Sequence, residues 1–176
     1  ILGKTEKDGR TVVKVIPNPE SKQGTTINVD GYKYRGTQID LEAYQWFAVE
    51  YYYESPKPIE GMKMQIGILN TGSPPPLLSG KSHHKNSLDT IKANEWSIAF
   101  FDMSGVQSVI NPDSTNKTLS QTHTYPFGTT KVANLTTDDV MYISRIMFFS
   151  EKPEFSLRNA YIKGYADGTF RPGNFL

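Results

Sequence analysis

Residues 44–54 read YQWFAVEYYYE, and this stretch decides the fold. Aromatic and β-branched side chains of this density favour an extended chain. Successive side chains of a strand point to opposite faces, so Phe47, Val49, Tyr51 and Tyr53 share one side. Trp46, Ala48, Glu50, Tyr52 and Glu54 share the other. The first set is a core stripe. The second mixes large rings with carboxylates, which is odd for a core and suggestive of a surface. Ser55-Pro56-Lys57-Pro58 ends the strand, because proline cannot continue a ladder.

Similar runs lie on both sides of it. Thr11–Ile16 (TVVKVI) is β-branched and stops at Pro17. Residues 25–29 (TTINV) lead into Asp30-Gly31, a turn dipeptide that predicts a hairpin to Tyr32-Lys33-Tyr34. Met62–Leu69 (MKMQIGIL), Trp96–Met103 (WSIAFFDM) and Val140–Ser150 (VMYISRIMFFS) are three further strands. In the last of these Met141, Ile143, Met147 and Phe149 fall on the side of Arg145, opposite Tyr142, Ser144, Ile146 and Phe148. Residues 70–94 hold glycine, serine and Pro74-Pro75-Pro76 and read as one long surface loop. No stretch sustains a 3.6-residue period, and residues 135–139 (LTTDD) make a turn of helix at most. Six or more punctuated strands predict an all-β chain, an antiparallel β-sandwich.

At 176 residues, the chain suits one main domain. Hydrophobic residues at 37% and aromatics at 12% fit a globular protein. Lys plus Arg number 19 against 18 Asp plus Glu, a net charge of +1, so nothing electrostatic calls for nucleic acid or an anionic membrane. No apolar run approaches the ~20 residues of a membrane span. Cysteine is absent, which removes disulfides, thiol catalysis and Cys-based zinc sites and leans toward an exported bacterial protein. A chain opening at Ile1 reads as an excised piece of a longer precursor.

Residues 161–172 read YIKGYADGTFRP. Asp167-Gly168 is expected to make a tight turn with positive φ at the glycine, and Pro172 to stiffen the exit. The stretch resembles the S-layer homology family, whose modules carry a GYxDGxFxP core. Gly164, Tyr165, Asp167, Gly168, Phe170 and Pro172 match that core. The resemblance implies an extracellular protein held at the bacterial cell surface or cell wall. Cell-wall polymer would be bound only through complete S-layer homology modules outside this chain. The expected organisation is therefore a sandwich over residues 1–155, then a linker and truncated module over 156–176.

Residues 95–106 (EWSIAFFDMSGV) and 141–151 (MYISRIMFFSE) are similar to the closing strands of jelly rolls of the carbohydrate-binding-module type. Those domains show a W…F-D-…-G strand and a final Y-I-D-x-I-x-F-F strand. Ser144 stands where that pattern has Asp. The resemblance implies a jelly roll and a polysaccharide or glycan as partner. Glycan binding needs rings to stack on pyranose CH faces and polar groups to hydrogen-bond hydroxyls. The candidate residues are Trp46, Glu50, Tyr52, Gln65 and Arg145, with Lys63 beside Gln65 on the strand expected to adjoin. The alternative, which strand aromatics generally favour, buries Trp46 and Tyr52 under a loop such as 70–94 and pairs Glu50 with Arg145 or Lys63.

No enzyme is expected: there is no nucleophile elbow, P-loop or HExxH. Glu50 and Glu54 would lie roughly 13 Å apart along a strand, beyond glycosidase spacing. His83 and His84 are adjacent and point to opposite sides, with His123 distant in sequence, so no shared metal is predicted. No cofactor is expected beyond a structural calcium ion, for which Asp30, Asp40 and Asp102 are the candidates. Asn116 and Asn134 open Asn-x-Thr sequons that read as polar loops. The rival to glycan binding is a structural spacer or protein-interaction domain of an S-layer-associated protein, with every aromatic internal.

Overall fold

The computed structural model describes residues 2–18, 20, 27–30, 39–40, 43–69, 83–106, 118–119, 121–128, 134–156, 161–163 and 166–170. The described chain is all-β, without a helical element. Its strands are β1 (Leu2–Lys7), β2 (Arg10–Val15), β3 (Ile27–Asp30), β4 (Ile39–Asp40), β5 (Trp46–Glu54), β6 (Gln65–Leu69) and β7 (His83–Asn86). They continue with β8 (Trp96–Asp102), β9 (Thr118–Leu119), β10 (Gln121–Tyr125), β11 (Val140–Phe149), β12 (Glu154–Ser156), β13 (Tyr161–Lys163) and β14 (Ala166–Phe170).

Two antiparallel sheets carry the fold. The first has the order β1-β2-β11-β5-β8, with β14 also paired to β11, and the second has the order β3-β10-β6-β7. Two short pairs, β12–β13 and β4–β9, complete the described strands. Residues of both sheets enter one apolar core, the arrangement of a β-sandwich. Val13, Phe47, Val49, Tyr51, Phe101, Ile143 and Phe148 come from the first sheet and Ile66 from the second, with Met62, Met64 and Phe127 just outside it. Phe47 meets Phe148 edge to face at 4.4 Å, a pairing that adds about 0.5–1.5 kcal/mol beyond burial.

β11 lies alongside β5 over its whole length, so its other edge must serve two partners. Val13–Val15 of β2 pair with Met141–Ile143, and β14 pairs with Ile146–Phe149. Between the two stretches the register against β5 slips at Ile143/Arg145, leaving Ser144 as an extra residue. A bulge of this kind inverts the alternation beyond it. Ile146 and Phe148 therefore join Met141 and Ile143 in the core, while Met147 and Phe149 turn outward with Arg145. The strict alternation expected for residues 140–150 fails from Ser144 onward for this reason.

Three other expectations change. β6 does not adjoin β5: it lies in the second sheet, between β10 and β7. Residues 70–94 are not a single loop, because β7 lies within them and pairs with β6. Asp167 and Gly168 lie inside β14, with a register slip against Phe148/Phe149, and not at a tight turn. The segment expected as linker and truncated module thus contributes β14 to the first sheet. Gly164, Tyr165 and Pro172, and the predicted hairpin at residues 31–34, lie outside the described residues.

Candidate functional site

The outer face of the first sheet carries four of the five candidate residues. Glu50 is 4% exposed, and an ion this buried is stable only with partners. It has three. Arg10 Nη1 donates to Oε1 at 2.8 Å, Arg145 Nε donates to Oε2 at 2.8 Å, and the Ser144 hydroxyl also donates to Oε2. Arg145 reaches this position because the bulge turns it outward opposite Glu50. The bulge residue itself, Ser144, supplies the third donor. Both oxygens of Glu50 are thus committed to the protein.

Across the same face runs a row of rings set by register, with Trp96 of β8 opposite Tyr52 of β5 and Tyr52 opposite Tyr142 of β11. All three are half-buried. Tyr52 meets Trp96 edge-on at 5.6 Å and Tyr142 at 6.4 Å. The β1–β2 hairpin lies over them. Its turn, Asp8-Gly9, has φ of 51° and 72°, positive at both positions as a two-residue turn between twisted strands requires. β2 pairs with β11 only over Val13–Val15, and the tip before it reaches across to Trp96 of β8. Trp96 Nε1 donates to Asp8 Oδ2 at 2.9 Å, and the Arg10 guanidinium stacks 4.3 Å from the Trp96 ring centre. Lys7 Nζ pairs with Glu54 at 2.7 Å and sits 4.4 Å above Tyr52 and 5.2 Å from Tyr142. The Glu54 hydrogen bond, ahead of an opposing desolvation, holds the Lys7 ammonium above its ordinary pKa. Burial, first, raises the Tyr142 phenol.

Trp46, at the far end of β5, is half-buried beside Ala48, Ile98, Phe100, Met147 and Phe149, with Lys152 Nζ 5.7 Å from its ring centre. Trp46, Glu50, Tyr52 and Arg145 thus share one face, as expected, but each is engaged by neighbours within the chain. The hairpin side chains Lys7, Asp8 and Arg10 were missed. Their signal is the Asp8-Gly9 dipeptide between two runs able to form strands.

Gln65, the fifth candidate, is on the second sheet and not on the face that carries the other four. Its Nε2 donates to Asn86 Oδ1 of β7 at 2.9 Å. One row away, Gly67 lies opposite His84 of β7 and His123 of β10. The rings of Tyr125 and His84 meet edge-on at 5.8 Å, and both lean over Gly67. A Cβ there would lie 2.8 Å from Tyr125 Cε2 and 3.2 Å from His84 Nδ1. Glycine at this position is what lets the rings lie down on the sheet. Gly128 holds the other side of Tyr125: a Cβ would fall 2.8 Å from its carbonyl oxygen and 2.9 Å from Gln65 Cβ. His84 and Asn86 are exposed, and Gln65 and Tyr125 half-buried. This face was not predicted as a unit, because strand pairing, and not sequence spacing, brings His84, Gln65 and Tyr125 together.

The calcium candidates lie on three different sheets: Asp30 on β3, Asp40 on β4 and Asp102 at the end of β8. The Asp102 carboxylate accepts from the Ser104 amide at 2.9 Å, and hydrogen bonds from Ser104 hold its pKa below the ordinary value. Among the described residues no three His, Asp or Glu side chains gather as metal ligands, and no helix is long and apolar enough to cross a membrane. No protein-family model, curated protein or solved structure matches the chain.

Proposed function

We propose that this chain is a non-catalytic, carbohydrate-binding jelly-roll domain of an envelope-anchored bacterial surface protein. Its glycan contact is the outer face of the second sheet. The observation that carries the reading is the pair of rings, Tyr125 and His84, laid across Gly67 beside the Gln65–Asn86 amide pair. A pyranose offers CH groups on one face and hydroxyls around its rim. An aromatic ring supplies apolar contact for the first, and primary amides both donate to and accept from the second. These amides pair with each other in an exposed position, so a hydroxyl can take over either partner at little cost. The resemblance of residues 161–172 to S-layer homology modules supports an extracellular place at the cell wall.

The test is a glycan-array screen followed by affinity electrophoresis on the polysaccharides that bind. Tyr125→Ala and Gln65→Ala are expected to weaken binding tenfold or more, and Trp46→Ala to leave it within twofold. Loss through Trp46→Ala with Tyr125→Ala unchanged would move the site to the first sheet.

A second reading is favoured by Glu50. A carboxylate held by three donors and roofed by a hairpin braces a sheet, as a structural spacer of the envelope layer requires. Absence of binding to every polysaccharide on the array supports that reading over the first.

A further inference from the structure

Tyr125, Gln65 and Asn86 stand opposite one another on β10, β6 and β7. Their side chains leave the sheet in one line, about 4.8 Å apart. Gly128 backs onto the first two: a Cβ there would collide with Tyr125 Cβ and lie 2.9 Å from Gln65 Cβ. The stems are thus fixed, while the amide ends meet in an exposed hydrogen bond. Each primary amide has two N–H donors and a carbonyl with two lone pairs. The 2.9 Å bond from Gln65 Nε2 to Asn86 Oδ1 uses one donor and one lone pair. The pair still offers N–H groups at Asn86 and a carbonyl at Gln65, with a ring alongside.

We propose that this line recognises the acetamido group of an N-acetylated amino sugar, which rests on the glycan reading of the second sheet and narrows it to one substrate class. A third amide matches what the pair leaves over. Its carbonyl accepts from Asn86 Nδ2 and its N–H donates to Gln65 Oε1. A hydroxyl donates and accepts through one oxygen, so it serves one amide at a time, whereas a separated N–H and C=O bridge the two. The acetyl methyl, carried beside the carbonyl, meets the Tyr125 ring one strand away, an apolar contact that a plain hexose lacks at this position. The pyranose itself then faces the His84 ring at Gly67.

Charged sugars fit this line less well. Lys85, between His84 and Asn86, points to the other side of β7, where its charge acts on Asp102. Lys63 precedes β6 and gives its ammonium to the Leu88 carbonyl at 2.8 Å. Asp30 stands opposite Gln121, four residues along β10 from Tyr125, or about 13 Å. An ammonium sugar therefore lacks a carboxylate at this line, and a uronate lacks an uncommitted lysine.

The experiment is calorimetric titration of the whole chain with pentamers of matched linkage that differ at the 2-position. One pair is glucose against N-acetylglucosamine, the other galactose against N-acetylgalactosamine. The N-acetylated member of at least one pair is expected to bind tenfold or more tightly than its parent. Asn86→Asp keeps the shape and replaces the amino donor with an acceptor. It is expected to remove that preference and to leave the parent sugar within threefold of wild type. The wild-type comparison needs no variant, and far-ultraviolet dichroism checks the fold of each variant used. Equal binding within both pairs overturns the proposal, as does a preference that survives both Asn86→Asp and Gln65→Glu. Tighter binding of a galacturonate pentamer than of any neutral one overturns it in favour of Lys63. Hexose binding lost through Tyr125→Ala, without an acetamido preference, overturns the narrowing alone and leaves the second-sheet site standing. Binding that Tyr125→Ala leaves unchanged, or none with any glycan, overturns both.

Discussion

Glu50 and Thr124 are both buried polar residues in strands, and they differ in whether the protein answers them. Glu50 accepts from Arg10, Arg145 and Ser144. Thr124, fully buried on β10, has a hydroxyl with no hydrogen-bond partner among the described residues. The asymmetry predicts opposite outcomes. Glu50→Ala leaves two partly covered guanidinium groups and a hydroxyl without their acceptor, and is expected to cost about 2–3 kcal/mol. Thr124→Val keeps the shape and removes an unpaired hydroxyl, and is expected to stabilise by about 1 kcal/mol. Denaturant melts of the two variants check both signs. At this scale the sequence was partly legible. The alternative reading pairs Glu50 with Arg145 or Lys63, and the structure pairs it with Arg145 while Lys63 donates to the Leu88 carbonyl. Arg10 could not be anticipated without the hairpin that carries it.

The hairpin and the bulge are the elements that alternation alone misreads. Residues 46–54 show the expected inward stripe, since β5 is paired on both sides without a slip against β8. β11 gains one residue at Ser144 and inverts its outer half. A serine in an otherwise apolar run is the trace of that bulge, legible only once Glu50 is seen to need a donor. β7 reads HHKN and has no apolar stripe because it is a short edge strand; polar residues there carry no strand signal. β1 and β2 were half visible, since TVVKVI was read as a strand and its partner was not. Asp8→Ala removes one of several contacts that hold the hairpin tip, the hydrogen bond from the Trp96 indole, without disturbing the core. The expected result is a stability loss of about 1 kcal/mol or less, with a clear change in tryptophan emission and unchanged far-ultraviolet dichroism.

The whole molecule rests on a core shared by two sheets, and the core contains two phenols. Tyr51 and Tyr53 are 2% and 1% exposed. The Tyr51 oxygen accepts from the Lys92 amide at 2.8 Å, and the Tyr53 hydroxyl donates to Asp139 at 2.9 Å. Burial, ahead of these contacts, pushes each up to about 12 from the ordinary value of 10.0. The folded chain therefore holds two protons that the unfolded chain releases above pH 10. Stability is full below pH 10 and falls as the pH rises toward 12. Urea midpoints measured across that range are expected to drop, with part of the phenolate absorbance appearing only on unfolding. All-β architecture was legible from strand density and the lack of helical periodicity. The division into two sheets was not, because the turn between residues 54 and 65 gives no sign that the chain changes layer. That one step separates Gln65 from Trp46, Glu50, Tyr52 and Arg145.

The central claim is that a glycan contacts the second sheet over Gly67. Amide and indole shift mapping of the labelled chain, titrated with the polysaccharides that bind on the array, tests it most directly. The account predicts ligand-dependent shifts at Gln65, Gly67, His84, Asn86 and Tyr125 for neutral glycans, with the Trp96 indole unmoved. Shifts confined to Trp96, Tyr52 and the hairpin under a neutral glycan, or none with any polysaccharide, would contradict it.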